Sequence, residues 1–291
     1  MFFLFLNMGC KIESYNTINS NIKSKFTTDL TGKFLFMRHG KTNFNSDHDK
    51  FRQLNISYID CHLSNDGIEK VRAKQNLINS LNIEKVYVSP FYRALQTAYI
   101  LLENHPNLNN ISIIVEPKIA EIGGCTHDFI LDIKQNKAGF NMNSKVKFNW
   151  DIFDEYIRRI KWDENFFYFE EYDNIDEDIK NKIYNDLREL YDKNDIKLYK
   201  KKLEKFAMFR IKNKQKFESI KHEYNRFLEF KNSLNINHKI TLNDKNKKIL
   251  IISHSSFIKI STSPGPYNES CKKAHPSCHA MKNLEIISIY L

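Results

Sequence analysis

Four short runs of the chain, residues 33–37, 85–89, 111–115 and 249–252, are apolar almost throughout rather than at alternate positions. Continuous apolar runs of this length fit strands covered on both faces, as in a parallel sheet. Helical signals separate the first three. Ser64 is a good N-cap for a helix in which Ile68, Val71, Ile78 and Leu81 recur at helical spacing. Pro90 suits the first turn of a second helix, residues 91–102, which carries Arg93, Gln96 and Thr97. Strand, helix, strand, helix, strand predicts an α/β fold: a mostly parallel central sheet with helices on both faces.

The pattern changes downstream. Residues 163–179 are strongly acidic and 197–216 strongly basic, while Ile183, Tyr184, Leu187, Leu190 and Tyr191 share one helical face, as do Leu203, Phe206 and Phe209. This predicts a mainly helical insertion or lid over 129–216, whose charge blocks are solvated or mutually paired helix faces. A helix over 217–230, a polar loop over 232–248 and a last strand over 284–289 complete the chain. Residues 1–30 read as a poorly ordered extension. The expected core is therefore 31–128 together with 217–291.

Forty-five Lys and Arg against 35 Asp and Glu give a net charge of +10, which favours anionic partners. The charge is spread out and no nucleic-acid motif accompanies it, so general solubility is its expected role and no nucleic acid is expected as partner. Five irregularly spaced cysteines make no disulfide framework and predict reduced thiols in a cytoplasmic protein. No run reaches transmembrane length, and the apolar residues 2–6 are too short for a signal-peptide core. Met8-Gly9-Cys10 would resemble an acylation start if translation began at Met8, but Glu13 fills the favoured Ser or Thr position.

Two buried strands end in histidine, at Arg38-His39-Gly40 and at Ser253-His254. A strand-to-helix turn presents Arg93, and the loop after the third strand presents Glu121. Ligands of open α/β sheets bind beyond the carboxyl ends of the strands. Gly40 there is expected to turn the backbone away with no Cβ to exclude a ligand. Phosphoryl transfer needs a nucleophile, cations around the phosphate oxygens and an acid for the leaving group, and all are present. Other chemistries fit less well. The residues six positions after each cysteine are Asn16, Gly67, Leu131, Ser277 and Leu284, so a cysteine phosphatase lacks its arginine. Asp47-His48-Asp49 follows no buried strand, and no Walker loop occurs. Cys271, His275, Cys278 and His279 have zinc-ligand chemistry at a spacing that matches no common site.

The segments 38–45, 89–98 and 253–256, with the helix start at 63–67, together resemble the histidine phosphatase superfamily, also called phosphoglycerate mutase-like, in its phosphatase-type branch. The resemblance implies that His39 attacks phosphorus and carries a phosphohistidine. Arg38, Arg93 and His254 would hold the phosphate oxygens, with Asn45 assisting. Glu121 would protonate the leaving oxygen and later activate water, although Glu116 and Asp128 flank the same region. It implies no metal and no cofactor, and a phosphorylated small molecule or phosphoprotein as partner. Ser255 departs from the family's usual glycine and narrows the approach. Ile122-Gly123-Gly124 lacks the arginines of true phosphoglycerate mutases, which argues against a mutase. A non-catalytic phosphatase-like scaffold or phospholigand-binding module is the alternative. Lys41 is expected to add positive charge for an anionic substrate.

Overall fold

The computed structural model describes residues 26–49, 52, 55–121, 126–128, 130, 133–141, 144–160, 185–186, 189, 195, 197–199, 201–202, 205, 220–237, 246–262 and 280–289. The Met8-Gly9-Cys10 start, the Cys271–His279 cluster and most of the charge blocks of the insertion lie outside these residues.

The described strands are β1 (Phe26–Thr27), β2 (Phe34–Arg38), β3 (Ile83–Val88), β4 (Ser112–Val115), β5 (Phe148–Asn149), β6 (Lys248–Ser253) and β7 (Ile286–Ile289). They form one sheet in the order β1-β7-β2-β6-β3-β4-β5. The pairs β2·β6, β6·β3, β3·β4 and β4·β5 are parallel, and β7 runs antiparallel to both β2 and β1.

Alternate residues of each central strand enter two different apolar layers, which is why the runs are apolar throughout. Leu35, Met37, Val86, Val88, Leu250 and Ile252 pack with Val71 of α2 (Asn65–Ala73), Ile78 of α3 (Gln75–Asn79) and Ala94, Leu95, Ala98 and Leu101 of α4 (Tyr92–Leu102). Phe34, Phe36, Tyr87, Ile249 and Ile251 pack instead with Phe227, Phe230 and Leu234 of one later helix (Ile220–Asn237) and Phe257 and Ile258 of another (Ser255–Ser261). The fold is thus α/β with a mostly parallel sheet covered on both sides. No described helix is long and apolar enough to cross a membrane.

Several local expectations change. Residues 232–237 continue the helix Ile220–Asn237 rather than opening a loop, because Leu234 still reaches the core. Pro90 lies before α4, whose N-cap is Phe91. The apolar core also runs past residue 128. Ile130, Ile133, Phe140, Val146, Phe148, Trp150, Phe153 and Ile157 all join the α2–α4 layer. Between them lie α5 (Ile133–Asn141), β5 at the sheet edge, and α6 (Asp151–Ile160).

Ser64 caps α2 as expected, its Oγ accepting from Gly67 N. Ser64 N in turn donates to Lys41 O at 3.0 Å. A Cβ on Gly67 would stand 2.0 Å from that same carbonyl, so only glycine lets the helix start dock on the loop after His39. Gly40 has a related reason, which corrects the expectation of ligand clearance. A Cβ there would meet Val71 Cγ2 at 2.8 Å, so its smallness serves the packing of α2.

Candidate active site

Parallel register builds the site. Arg38 sits opposite Ser253 on adjacent strands, so His39 and His254 follow side by side beyond the strand ends. His39 N donates to Ser253 O at 3.0 Å, and Ser89 N donates to Ile252 O at 3.1 Å, bringing the end of β3 into the same row. The two imidazole centroids are 5.1 Å apart, with the rings tilted at 56°. Both residues are buried, His39 at 4% exposure and His254 at 0%.

The nitrogens of each ring have different partners. His39 Nδ1 lies 2.7 Å from Gly40 O, and a carbonyl only accepts, so Nδ1 carries the proton and Nε2 keeps the lone pair. Burial, then the charges of Arg93 and Arg38, hold this imidazole well below the usual histidine range, while the Gly40 bond works weakly the other way. His39 is therefore a neutral imidazole with a free Nε2 lone pair. His254 Nε2 lies 2.8 Å from Ser89 Oγ, and its Nδ1 is buried with no hydrogen-bond partner. Burial and then Arg93 also push His254 well down.

Arg93 enters from the first turn of α4 and is 1% exposed. Its Nη1 donates to His127 O at 2.7 Å, its Nη2 donates to Asp128 Oδ1 at 3.2 Å, and its guanidinium lies 4.2 Å from the Phe91 ring centroid. Arg38 is anchored by Nη1 to Met281 O at 2.9 Å. The Nε atoms of both arginines are buried without a partner. Glu121 lies near enough to Arg38 to favour its charged form, against burial and Arg93. The structure thus gathers Arg38, His39, Arg93 and His254 at one sheet edge, with Glu121 within electrostatic reach of Arg38.

Asn45 has a local role in this structure. Its Oδ1 accepts from Thr42 N and Thr42 Oγ1, and its own N–H returns a bond to Thr42 Oγ1, a reciprocal cap on α1 (Asn43–Ser46). Lys41 also differs from expectation, since its ammonium pairs with Asp66 of α2 at 3.2 Å. Of the two alternative acids, Asp128 is taken by Arg93. Glu116 caps the short turn Pro117–Ile119 and is pushed up by burial.

Three contributors were given no role at the site from sequence. Ser89 fixes which His254 nitrogen is occupied. Thr97 receives the N–H of Gly40 at 3.0 Å, a tie that its place one turn after Arg93 could have suggested. His127 stacks on Phe44 at 3.7 Å, and burial, then Arg93, then Arg52 and Arg38 depress it well below the usual range. Its place in a loop gave no periodic signal.

Residues 34–136 match the model of the histidine phosphatase superfamily (branch 1). The chain is similar to the fructose-2,6-bisphosphatase TIGAR B of Danio rerio, 33% identical over 94 residues, which are 32% of this chain and 35% of that protein. It is also similar to the probable fructose-2,6-bisphosphatase TIGAR A of the same organism, 31% identical over 85 residues, 29% of this chain and 32% of the relative. The chain therefore spans about a third of the length of these curated relatives. Among solved structures it is similar to the ecdysone phosphate phosphatase EPPase from Bombix mori in complex with tungstate, at a TM-score of 0.44 and 13% identity, over 87% of this chain and 86% of that one.

Proposed function

We propose that this chain, whose residues 34–136 carry a histidine phosphatase superfamily domain, hydrolyses phosphomonoesters through a phosphohistidine on His39. One observation carries the reading. Arg38 Nε, Arg93 Nε and His254 Nδ1 are buried without partners, the first two on arginines that act on the His39 imidazole and the third on the ring beside it. A buried polar group left unpaired costs about 1–3 kcal/mol, so such a set calls for a ligand rich in acceptors. A phosphoryl group supplies three oxygens. His254 Nδ1 becomes a donor to it when Ser89 Oγ–H donates to Nε2.

In the first step His39 Nε2 bonds to phosphorus as the ester P–O bond breaks, and the Glu121 carboxylic acid gives its proton to the departing oxygen. In the second, Glu121 takes a proton from water, whose oxygen attacks phosphorus. The N–P bond breaks, releasing inorganic phosphate and restoring His39. Arg38, Arg93 and His254 stabilise the charge that spreads over the equatorial oxygens. Asn45 would contribute through the amide NH₂ that its bonds to Thr42 leave over. Side-chain cations supply the electrostatic stabilisation in this scheme.

The zebrafish relatives are named for fructose 2,6-bisphosphate, which makes sugar phosphates the first compounds to screen, with phosphotyrosine peptides beside them. Residues 129–216, whose first part packs into the core, are proposed to shape that choice. His39→Ala removes turnover of every phosphomonoester the intact chain hydrolyses. Undiminished turnover in that variant would refute the reading, and phosphopeptide binding with no turnover by the intact chain would favour a scaffold.

A further inference from the structure

The helix Ile220–Asn237 enters the core on the opposite side of the sheet from α4, yet one of its residues reaches the loop that bears the proposed acid. Arg226 is 5% exposed. Its Nη1 donates to Lys118 O at 2.6 Å, and Nη1 and Nη2 both donate to Ala120 O at 3.3 Å. Ala120 immediately precedes Glu121. The same loop is held to the end of β6 by Ser253 Oγ, which donates to Ile119 O at 2.6 Å, and Glu116 N donates to Val88 O at 2.9 Å. Consecutive carbonyls before Glu121 are thus tied to side chains from residues more than 100 positions away in the chain.

A guanidinium suits this task. It is planar, always charged and carries five donors in a fixed fork, so one side chain can hold two carbonyls at a set separation. A carboxylic acid gains from such fixing because proton transfer requires hydrogen-bond reach of the leaving oxygen. These three bonds of Arg226 end on the loop that carries the proposed acid. Burial of its charge is eased by those carbonyls and by the Phe257 ring, 5.9 Å from the guanidinium carbon.

We propose that Arg226 is a positioning residue for general-acid catalysis, clamping the 118–120 backbone so that Glu121 meets the leaving-group oxygen. This rests on the phosphatase reading above and deepens it. A misplacement of about 1 Å costs on the order of 100-fold in a step that depends on geometry, but only where that step needs the proton.

Leaving groups provide the test. An alkyl phosphate such as glycerol phosphate needs protonation of its departing oxygen, whereas 2,4-dinitrophenyl phosphate departs without it. In the full chain, Arg226→Met lowers kcat/KM for the alkyl ester by about 10- to 100-fold; kcat/KM reads the phosphoenzyme-forming step and not the hydrolysis that both esters share. It leaves kcat/KM for the dinitrophenyl ester within about threefold, since the phosphate is held by other residues. Arg226→Lys, which reaches one carbonyl, recovers part of the alkyl-ester kcat/KM. Glu121→Gln, run alongside, shows the same selectivity in kcat/KM more strongly. Equal losses on both esters in Arg226→Met and Arg226→Lys, beside a selective loss in Glu121→Gln, overturn the role of Arg226 alone. Equal losses in Glu121→Gln overturn Glu121 as the acid, and the clamp's purpose with it.

Discussion

His39 combines two requirements that compete in water, a basic nitrogen and an uncharged ring beside two cations. The Gly40 carbonyl settles which nitrogen is basic, and burial with Arg93 and Arg38 keeps the ring neutral. Because its protonation is displaced to lower pH, the nucleophile is not lost where an ordinary imidazole titrates, near pH 6.5. With the ionisations of the substrate and of Glu121 factored out, kcat/KM stays level as pH falls from 7.5 to about 6, and any limb due to His39 appears below that. An NMR titration of the intact chain in which the His39 imidazole takes up its proton near pH 6.5 would contradict this environment. These residues were legible as types at strand ends. Their wiring was not: Asp128 lies 35 positions from Arg93 in sequence, and a buried ion pair of this separation leaves no periodic trace.

The elements were read best where burial dictates a pattern. β2 and β6 announce themselves because both faces are covered, and α2 because Ser64 and Gly67 mark its start. β5 was missed, since a two-residue edge strand has too few positions to show a period. The capping of α4 was also invisible. Asp60, held at φ 45, accepts from Tyr92 N at 2.9 Å and so helps fix the turn that carries Arg93. The start of α2 offers a sharp test at this scale. Gly67→Ala would place a Cβ 2.0 Å from Lys41 O, a backbone atom that cannot rotate away. It destabilises the chain by about 1–3 kcal/mol, visible as a lower denaturant midpoint at unchanged m. It also lowers activity, because the loop after His39 must move. A neutral effect on both would show that α2 and the His39 loop are not coupled as described.

At the scale of the whole molecule, three histidines, the buried His39 and His254 and the partly buried His127, have their protonation pushed well down. The unfolded chain binds protons at these side chains from about pH 6.5 downward, whereas the folded chain does not. Stability is therefore fully present above pH 6.5 and falls below it, until the depressed folded values are reached. The slope is at most about 1.4 kcal/mol per pH unit for each histidine. Denaturant unfolding at pH 7.5 and 5.5 reads this loss, and replacing His127 with a residue that does not titrate reduces the slope. Inorganic phosphate, a ligand of the proposed site, raises stability at either pH in proportion to the logarithm of its concentration.

The phosphoenzyme decides the matter most directly. The intact chain is mixed with a radiolabelled phosphomonoester that it turns over, quenched in alkali within a single turnover, and the labelled peptide identified. The expected label sits on His39, survives alkali, is lost in acid and is absent from His39→Ala. Single-turnover phosphate release with no label on His39, or a label on another residue, would contradict it.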